Sequence, residues 1–363
     1  MPPTVPPGTL AERLQCLLGL AVFVAAAWLI GRWRTRGQAR APFPWRVVGW
    51  GLGLQFAFGV LVLKTPGLML AVTQVIDALL ENTRAGARTV FGSLADVNAI
   101  VPVTPDADGK LPASGYARTG AVFAFFVLPT IIFFSCLTAI AYHVGVMQLV
   151  VRGLAWVMSR TMGTSGAETL SAAANVFVGQ TEAPLMVKPF LAAATRSELM
   201  CVMVAGFANI ASGVLGVYTL FLRDYIAGAG GHLAAACLVS APASMIVSKL
   251  LVPETEEPAT AAGVSMRVEK LDANLVDAAA RGTSEGLALA LNVAAMLIAF
   301  TALVALVNGL LGWAGTATTI TTADHPLTLQ SLLAWPLAPV AWLTGVSWAE
   351  APTVGSLIGV KTV

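Results

Sequence analysis

NVFVGQTEAPLMVKPF, residues 175–190, is apolar enough to enter a membrane, yet it carries Gln180, Thr181, Glu182 and Lys188 and is interrupted by Gly179, Pro184 and Pro189. In hydrocarbon an unpartnered polar group costs several kcal/mol, and a carboxylate at mid-depth costs about 2.5 kcal/mol or more even on lenient scales. Residues 179–182 must therefore face protein or a wet cavity. The surrounding stretch, residues 166–192, is too short for two full crossings and too apolar for a loop in water. Two half-helices meeting at a Gly179–Pro184 tip satisfy both limits. The sequence thus predicts a re-entrant hairpin.

The residue types at the tip have a definite chemistry. Glutamine offers a donor and an acceptor, threonine a hydroxyl that does both, and glutamate an acceptor. Such a set can read a planar, uncharged ligand edged with heteroatoms, and it suits a simple anion poorly. A plainer alternative is a tip that reaches the aqueous interface or pins neighbouring helices. Asn175 lies about one turn before the tip, where an unwound backbone would expose carbonyls, and hard oxygen donors of this kind suit an alkali cation. Downstream, AGFANIASGVLGVY supplies Asn209 and Ser212 among small residues, which also serve close helix packing without any ligand.

The rest of the chain sets this hairpin in a membrane. Of its 363 residues 57% are hydrophobic and 11% charged, against about 25% charged in an ordinary soluble domain. With a mean hydropathy of +0.78, the expected class is an all-α polytopic membrane protein. The net charge of +2 comes with no basic stripe, so nucleic acid is not an expected partner. Cys16, Cys136, Cys201 and Cys237 are scattered in apolar runs and read as buried free thiols, and the three histidines form no metal motif. No cofactor is expected beyond a coupling ion.

A first span covers 14–31, with one arginine before it and Arg32, Arg34, Arg36, Arg40 and Arg46 after it. That asymmetry is the reverse of a signal peptide and places the N-terminus outside. A second span is expected at 47–63, an interfacial helix at 66–92, a loop at 94–118, a span at 120–142 kinked at Pro129, and an amphipathic helix at 146–160. Spans follow the hairpin at 196–222 and 229–252. Residues 253–284 read as a charged loop and amphipathic helix, and 285–313 as a long span. Residues 328–346 form a second interrupted segment, broken by Pro336 and Pro339, before another apolar helix starts in APTVGSLIGVKTV. Paired broken segments in the two halves of a chain point to a transporter with inverted repeats and a mid-membrane site.

At this point the residues resemble a known family. GTSGAETLSAAANVFVGQTEAPLMVKPFLAAATRSELMCVMVAGFANIASGVLGVY (163–218), LNVAAMLIAFTALVALVNGLLGW (291–313) and the stretch through SLIGVKTV are similar to the concentrative nucleoside transporters, as are FFVLPTIIFFSCLTAIAYHVGVMQ and AWVMSRTMGTSGAE. The resemblance runs from about residue 43 to the last residue, and GQTEAPL is its most specific motif. It implies a bacterial member of the family, with two re-entrant hairpins, sitting as a multi-pass homotrimer in the inner (plasma) membrane. It implies secondary active import: a symporter carrying nucleosides with sodium.

The family's organisation, laid on this chain, gives N-terminal scaffold spans at 14–63, interfacial helices, a loop and a scaffold span at 64–165, and the first half of the transport domain at 166–252. An amphipathic helix and long scaffold span follow at 253–313, then the second hairpin and the start of a transport helix at 328–363. The resemblance assigns the nucleobase to Gly179, Gln180, Thr181 and Glu182, with Val214 as an apolar wall. It assigns sodium to the Asn175 side chain, the Val178 carbonyl, Asn209 and the Ile210 carbonyl. Position 209 departs from the pattern, because family members with a sodium site usually carry serine or threonine there. The glutamate, asparagine and serine that hold the ribose in the family would lie beyond Val363, so the chain is expected to be a piece of a longer protein, inactive by itself. The alternatives are a proton-coupled nucleoside importer and a membrane-embedded enzyme using Glu182. The enzyme lacks HExxH, GxSxG or an acid-rich partner motif. A passive channel fits the paired broken segments less well. Base preference is not legible.

Overall fold

The computed structural model describes residues 9–34, 42–95, 100–102, 116–118, 123–177, 179–180, 183–210, 212–222, 225–261, 272–318 and 327–362. Apart from an antiparallel pair of three-residue strands, β1 (Ile100–Pro102) and β2 (Tyr116–Arg118), the regular structure among these residues is helical. Among the described residues, four helices are long and apolar enough to cross a membrane: α1 (Leu10–Arg34), α2 (Trp45–Lys64), α12 (Ala229–Leu251) and α13 (Leu275–Ala317). The chain divides into two compact units, residues 35–292 and residues 3–34 with 293–363.

In the larger unit, α2 is followed by α3 (Pro66–Phe91), an amphipathic helix as expected. Its buried side runs through Ile76, Leu80, Thr83 and Ala87, while Val75 is exposed. This face meets α12 at a glycine pair: a Cβ on Gly230 would come within 3.2 Å of Ile76, and one on Gly231 within 2.9 Å of Met69. Small residues let the two backbones close. The expected kink near Pro129 is an interruption at Val127, between α4 (Phe123–Phe126) and α5 (Leu128–Val144), with the proline in the first turn of α5. Gly145, at φ +90°, then turns the chain through 80° into α6 (Val146–Met162). The first turns of α13 pack on α5 through Gly282 and Gly286, one turn apart. A Cβ on Gly286 would lie 2.9 Å from the Ile132 Cα.

The predicted hairpin is present, with one change. Its entering arm is α7 (Gly166–Asn175), and its returning arm is split into α8 (Ala183–Met186) and α9 (Lys188–Leu191). Pro184 therefore opens the returning arm instead of sitting in the tip. Proline fits there because the first turn of a helix needs no donor from its nitrogen. The two ends of the hairpin lie together: Ser165 Oγ, just before α7, donates to Glu198 Oε1 at 2.5 Å, in the first turn of the helix that follows the hairpin. The chain enters and leaves on the same side, which is what re-entrant means.

The expected single span over 196–222 is two helices, α10 (Arg196–Ala208) and α11 (Ser212–Leu222). Asn209 is extended, at φ −112° and ψ 159°. Asparagine and serine side chains compete with the helix for backbone hydrogen bonds, and the break falls between two of them. The charged helix expected before residue 284 and the span expected after it are one continuous helix, α13, of 43 residues. At 1.5 Å per residue it is about 65 Å long, twice the roughly 30 Å of hydrocarbon, so only part of it can lie in lipid.

In the smaller unit, Pro336 and Pro339 do not break the chain. α14 (Leu329–Leu343) runs through both, and α15 (Ala351–Thr362) returns against it. Each proline removes one helix hydrogen bond and crowds the carbonyl four residues back, yet the helix is kept where a neighbour packs against it. Gly355 of α15 sits so close to α14 that a Cβ would lie 2.7 Å from the Ala334 carbonyl oxygen. The turn between them is held by α1, where Gln15 Nε2 donates to the carbonyls of Trp342 at 2.5 Å and Val346 at 3.0 Å. Cys16 is exposed, not buried, Cys136 is half-buried, and Cys201 and Cys237 are buried as expected.

Candidate functional site

Asn175 is the last residue of α7, and only 1% of it is exposed. Among the described residues, neither Oδ1 nor Nδ2 of its carboxamide has a hydrogen-bond partner. Burying a carboxamide unpaired costs about 1–3 kcal/mol per orphaned group, so native structures rarely leave one without a reason. The reason is visible in its neighbourhood. Gly206, in the last turn of α10, faces it closely: a Cβ there would stand 3.9 Å from Asn175 Nδ2 and 3.5 Å from Gln180 Cβ. Two helix C-termini thus meet where α10 breaks, and both bring the negative end of the helix dipole to this point. Hard oxygens, a free carboxamide and two negative helix ends form an environment for a small cation.

Of the residues singled out in the sequence, Asn175 and Gln180 are brought together with Gly206. Gly179 is buried and adopts φ +112°, a left-handed backbone that turns the chain at the tip. Gln180 itself is exposed. Asn209 and Ile210 are half-buried at the break, and Val214 is half-buried in the first turn of α11. Asn209 is already engaged: Ser240 Oγ of α12 donates to its Oδ1, and its Nδ2 reaches the Ala205 carbonyl at 3.4 Å. Val178, Thr181 and Glu182 lie outside the described residues.

At the far end of the same helices is a group that the sequence reading missed. Glu168 and Glu198 each sit three residues after Ser165 and Thr195, and each reaches back to the amide of that residue at 2.8 Å. Both carboxylates are buried. Lys249, near the end of α12, contacts Glu168 Oε2 at 2.7 Å, Ser197 Oγ at 2.9 Å and Glu254 Oε2 at 3.1 Å. Thr260 adds a hydrogen bond to Glu198 Oε1 at 3.1 Å. Glu168 and Glu254 therefore share one ammonium, while Glu198 is held beside them by the hydroxyls of Ser165 and Thr260. A cavity of about 330 Å³ opens beside them, lined by Phe43, Pro44, Ser165, Glu168, Lys249 and Glu254 among others. Its charged groups are already paired with one another, so it reads as a cleft where helix ends are clamped, away from the hairpin tip. The spacing signal was present as Ser165-x-x-Glu168 and Thr195-x-x-Glu198.

Comparison with known proteins agrees with this geometry. Residues 18–94 match the model for the "Na+ dependent nucleoside transporter N-terminus", 124–224 the model for "Nucleoside recognition", and 232–363 the model for the "Na+ dependent nucleoside transporter C-terminus". Human sodium/nucleoside cotransporter 1 is 38% identical over 96% of the chain, and rat sodium/nucleoside cotransporter 2 is 39% identical over 96%. The chain spans about half the length of these relatives, 49% and 48% respectively. Among solved structures, CNTnw in an inward-facing substrate-bound state superposes with a TM-score of 0.78 at 37% identity, covering 96% of this chain and 76% of that one. A variant of CNTnw in an outward-facing state superposes equally well, at 0.79 with 37% identity, covering 96% of this chain and 76% of that one. The re-entrant hairpin, the broken helix beside it and these similarities agree: the chain belongs to the concentrative nucleoside transporter family.

Proposed function

We propose that this chain carries the nucleobase and cation site of a sodium-coupled nucleoside symporter. The observation that carries the proposal is the buried, unpartnered Asn175 carboxamide where the ends of α7 and α10 meet. A carboxamide in that position gains partners when something binds, and the two negative helix ends beside it favour a cation. Asn175, the Val178 and Ile210 carbonyls and Asn209 would supply the ion's oxygens. Gln180, Thr181 and Glu182 would read the heteroatom edge of the base beyond Gly179, with Val214 as its apolar wall. Sodium binding would order the tip and so prepare the base site, which couples the two fluxes. The protein would work as a homotrimer in the bacterial inner membrane.

The test is uptake of radiolabelled uridine and adenosine by the full-length protein, with sodium and pH varied independently. Uptake should rise with sodium at fixed pH. Asn175→Ala should raise the sodium concentration needed for half-maximal uptake several-fold, and Glu182→Gln should abolish most uptake while leaving membrane expression intact. A dependence on pH with none on sodium would reassign the coupling to protons. Full activity of Glu182→Gln would refute the base site.

A further inference from the structure

Asn209 occupies a position where the resemblance leads one to expect a hydroxyl, and the structure supplies a hydroxyl from elsewhere. Ser240, half-buried on α12, places its Oγ against Asn209 Oδ1. The same Oγ also lies 2.9 Å from the Cys237 carbonyl oxygen, one turn back along its own helix. A serine hydroxyl has one hydrogen and two oxygen neighbours here, so it can donate to only one of them at a time. When the hydrogen points to Asn209, the carboxamide oxygen is occupied. When it points to Cys237, the serine lone pairs and Asn209 Oδ1 face each other as two acceptors. Two acceptors in contact repel unless a cation lies between them.

Gly206 lies in the last turn of α10, and Asn209 is the residue that ends it, three positions on. Gly206 is also the residue against which Asn175 docks. The hydroxyl of Ser240, contributed by a third helix, is therefore bonded to the residue that ends α10, three positions from the glycine beside the unpartnered carboxamide. We propose that Ser240 is a further residue of the sodium site: its hydroxyl turns from Asn209 to the Cys237 carbonyl when the ion arrives, and its oxygen joins Asn209 Oδ1 as a ligand. Asn209 and Ser240 together then provide what one short hydroxyl side chain would provide at position 209. This inference rests on the sodium reading of the Asn175 site.

The experiment titrates sodium chloride against choline chloride at constant ionic strength, using the purified full-length protein. Thermal unfolding midpoint is the readout, with sodium-dependent uptake measured alongside. Ser240→Ala should raise the half-maximal sodium concentration at least threefold in both assays, while the nucleoside concentration for half-maximal uptake at saturating sodium stays within twofold. Ser240→Thr, which keeps the hydroxyl, should stay near the parent. A purely structural serine would lower the midpoint without sodium and leave the sodium titration unmoved, which would overturn the proposal. So would equal shifts in the alanine and threonine variants. If the parent itself shows no sodium response, the coupling reading fails and this inference falls with it. An unshifted Ser240→Ala in a sodium-responsive parent defeats this inference alone.

Discussion

Two glycines at one site show how single residues here are constrained for different reasons. Gly179 has φ +112°, whereas Gly206 is an ordinary helical glycine whose added Cβ would make normal contacts at 3.5 and 3.9 Å. A side chain at Gly179 would force strain of about 1–3 kcal/mol into the tip. Gly179→Ala should therefore lower both thermal stability and uptake, and Gly206→Ala should be nearly silent. Unfolding midpoints and initial uptake rates compare them directly. Equal effects would show that the tip does not need the left-handed backbone. The functional glycine is legible in sequence as a breaker in an apolar run. The sign of its φ is not, because φ depends on how the two arms dock. Asn175 is similar: its type and its distance from the tip suggest a ligand, but only its burial without partners separates it from an ordinary packing asparagine.

At the scale of elements, the helix ends do the organising. The starts of α7 and α10 and the end of α12 are tied by Glu168, Glu198 and Lys249, with Lys249 Nζ 2.7 Å from Glu168. Removing the ammonium leaves a carboxylate buried without its counter-charge, which costs about 3–5 kcal/mol. Lys249→Met should therefore sharply lower the unfolding midpoint in detergent. Adding Glu168→Gln should recover part of the loss, because the uncompensated charge is then gone. A double variant no better than the single one would show that the pair is not the unit that matters. The hairpin, the amphipathic α3 and the spans at α1, α2 and α12 were readable from periodicity and breakers. The interruption of α10–α11 and the continuity of α14 were not. Asn209 ends a helix although no glycine or proline marks the spot, while Pro336 and Pro339 are carried within a helix packed against Gly355. Tertiary packing overrode local propensity in opposite directions in these two segments.

At the scale of the molecule, the remaining question is which side faces the cell interior. Arg13 alone precedes the apolar run of α1, and Arg32, Arg34, Arg36, Arg40 and Arg46 follow it. The positive-inside tendency then places the end of α1 and the start of α2 in the cytoplasm. Within the larger unit the contacts carry this assignment onward. Arg46 donates to the Thr161 and Arg160 carbonyls at 3.1 and 3.2 Å, so α6 ends on the same side as α2 begins. The α7 and α10 starts and the α12 end are joined there by the clamp around Glu168 and Lys249. α7 and α10 both rise from that side and stop where Asn175 and Gly206 meet, so this assignment would put the proposed cation site within the depth of the membrane and the clamp at its inner surface. The orientation is tested with a version of the full-length protein whose native cysteines are replaced. Glu12→Cys should react with a membrane-impermeant maleimide in intact cells, and Arg34→Cys should react only after permeabilisation. Both residues are exposed in α1, so lack of reaction cannot be ascribed to burial in this chain. The opposite labelling pattern would invert the molecule and place the clamp outside.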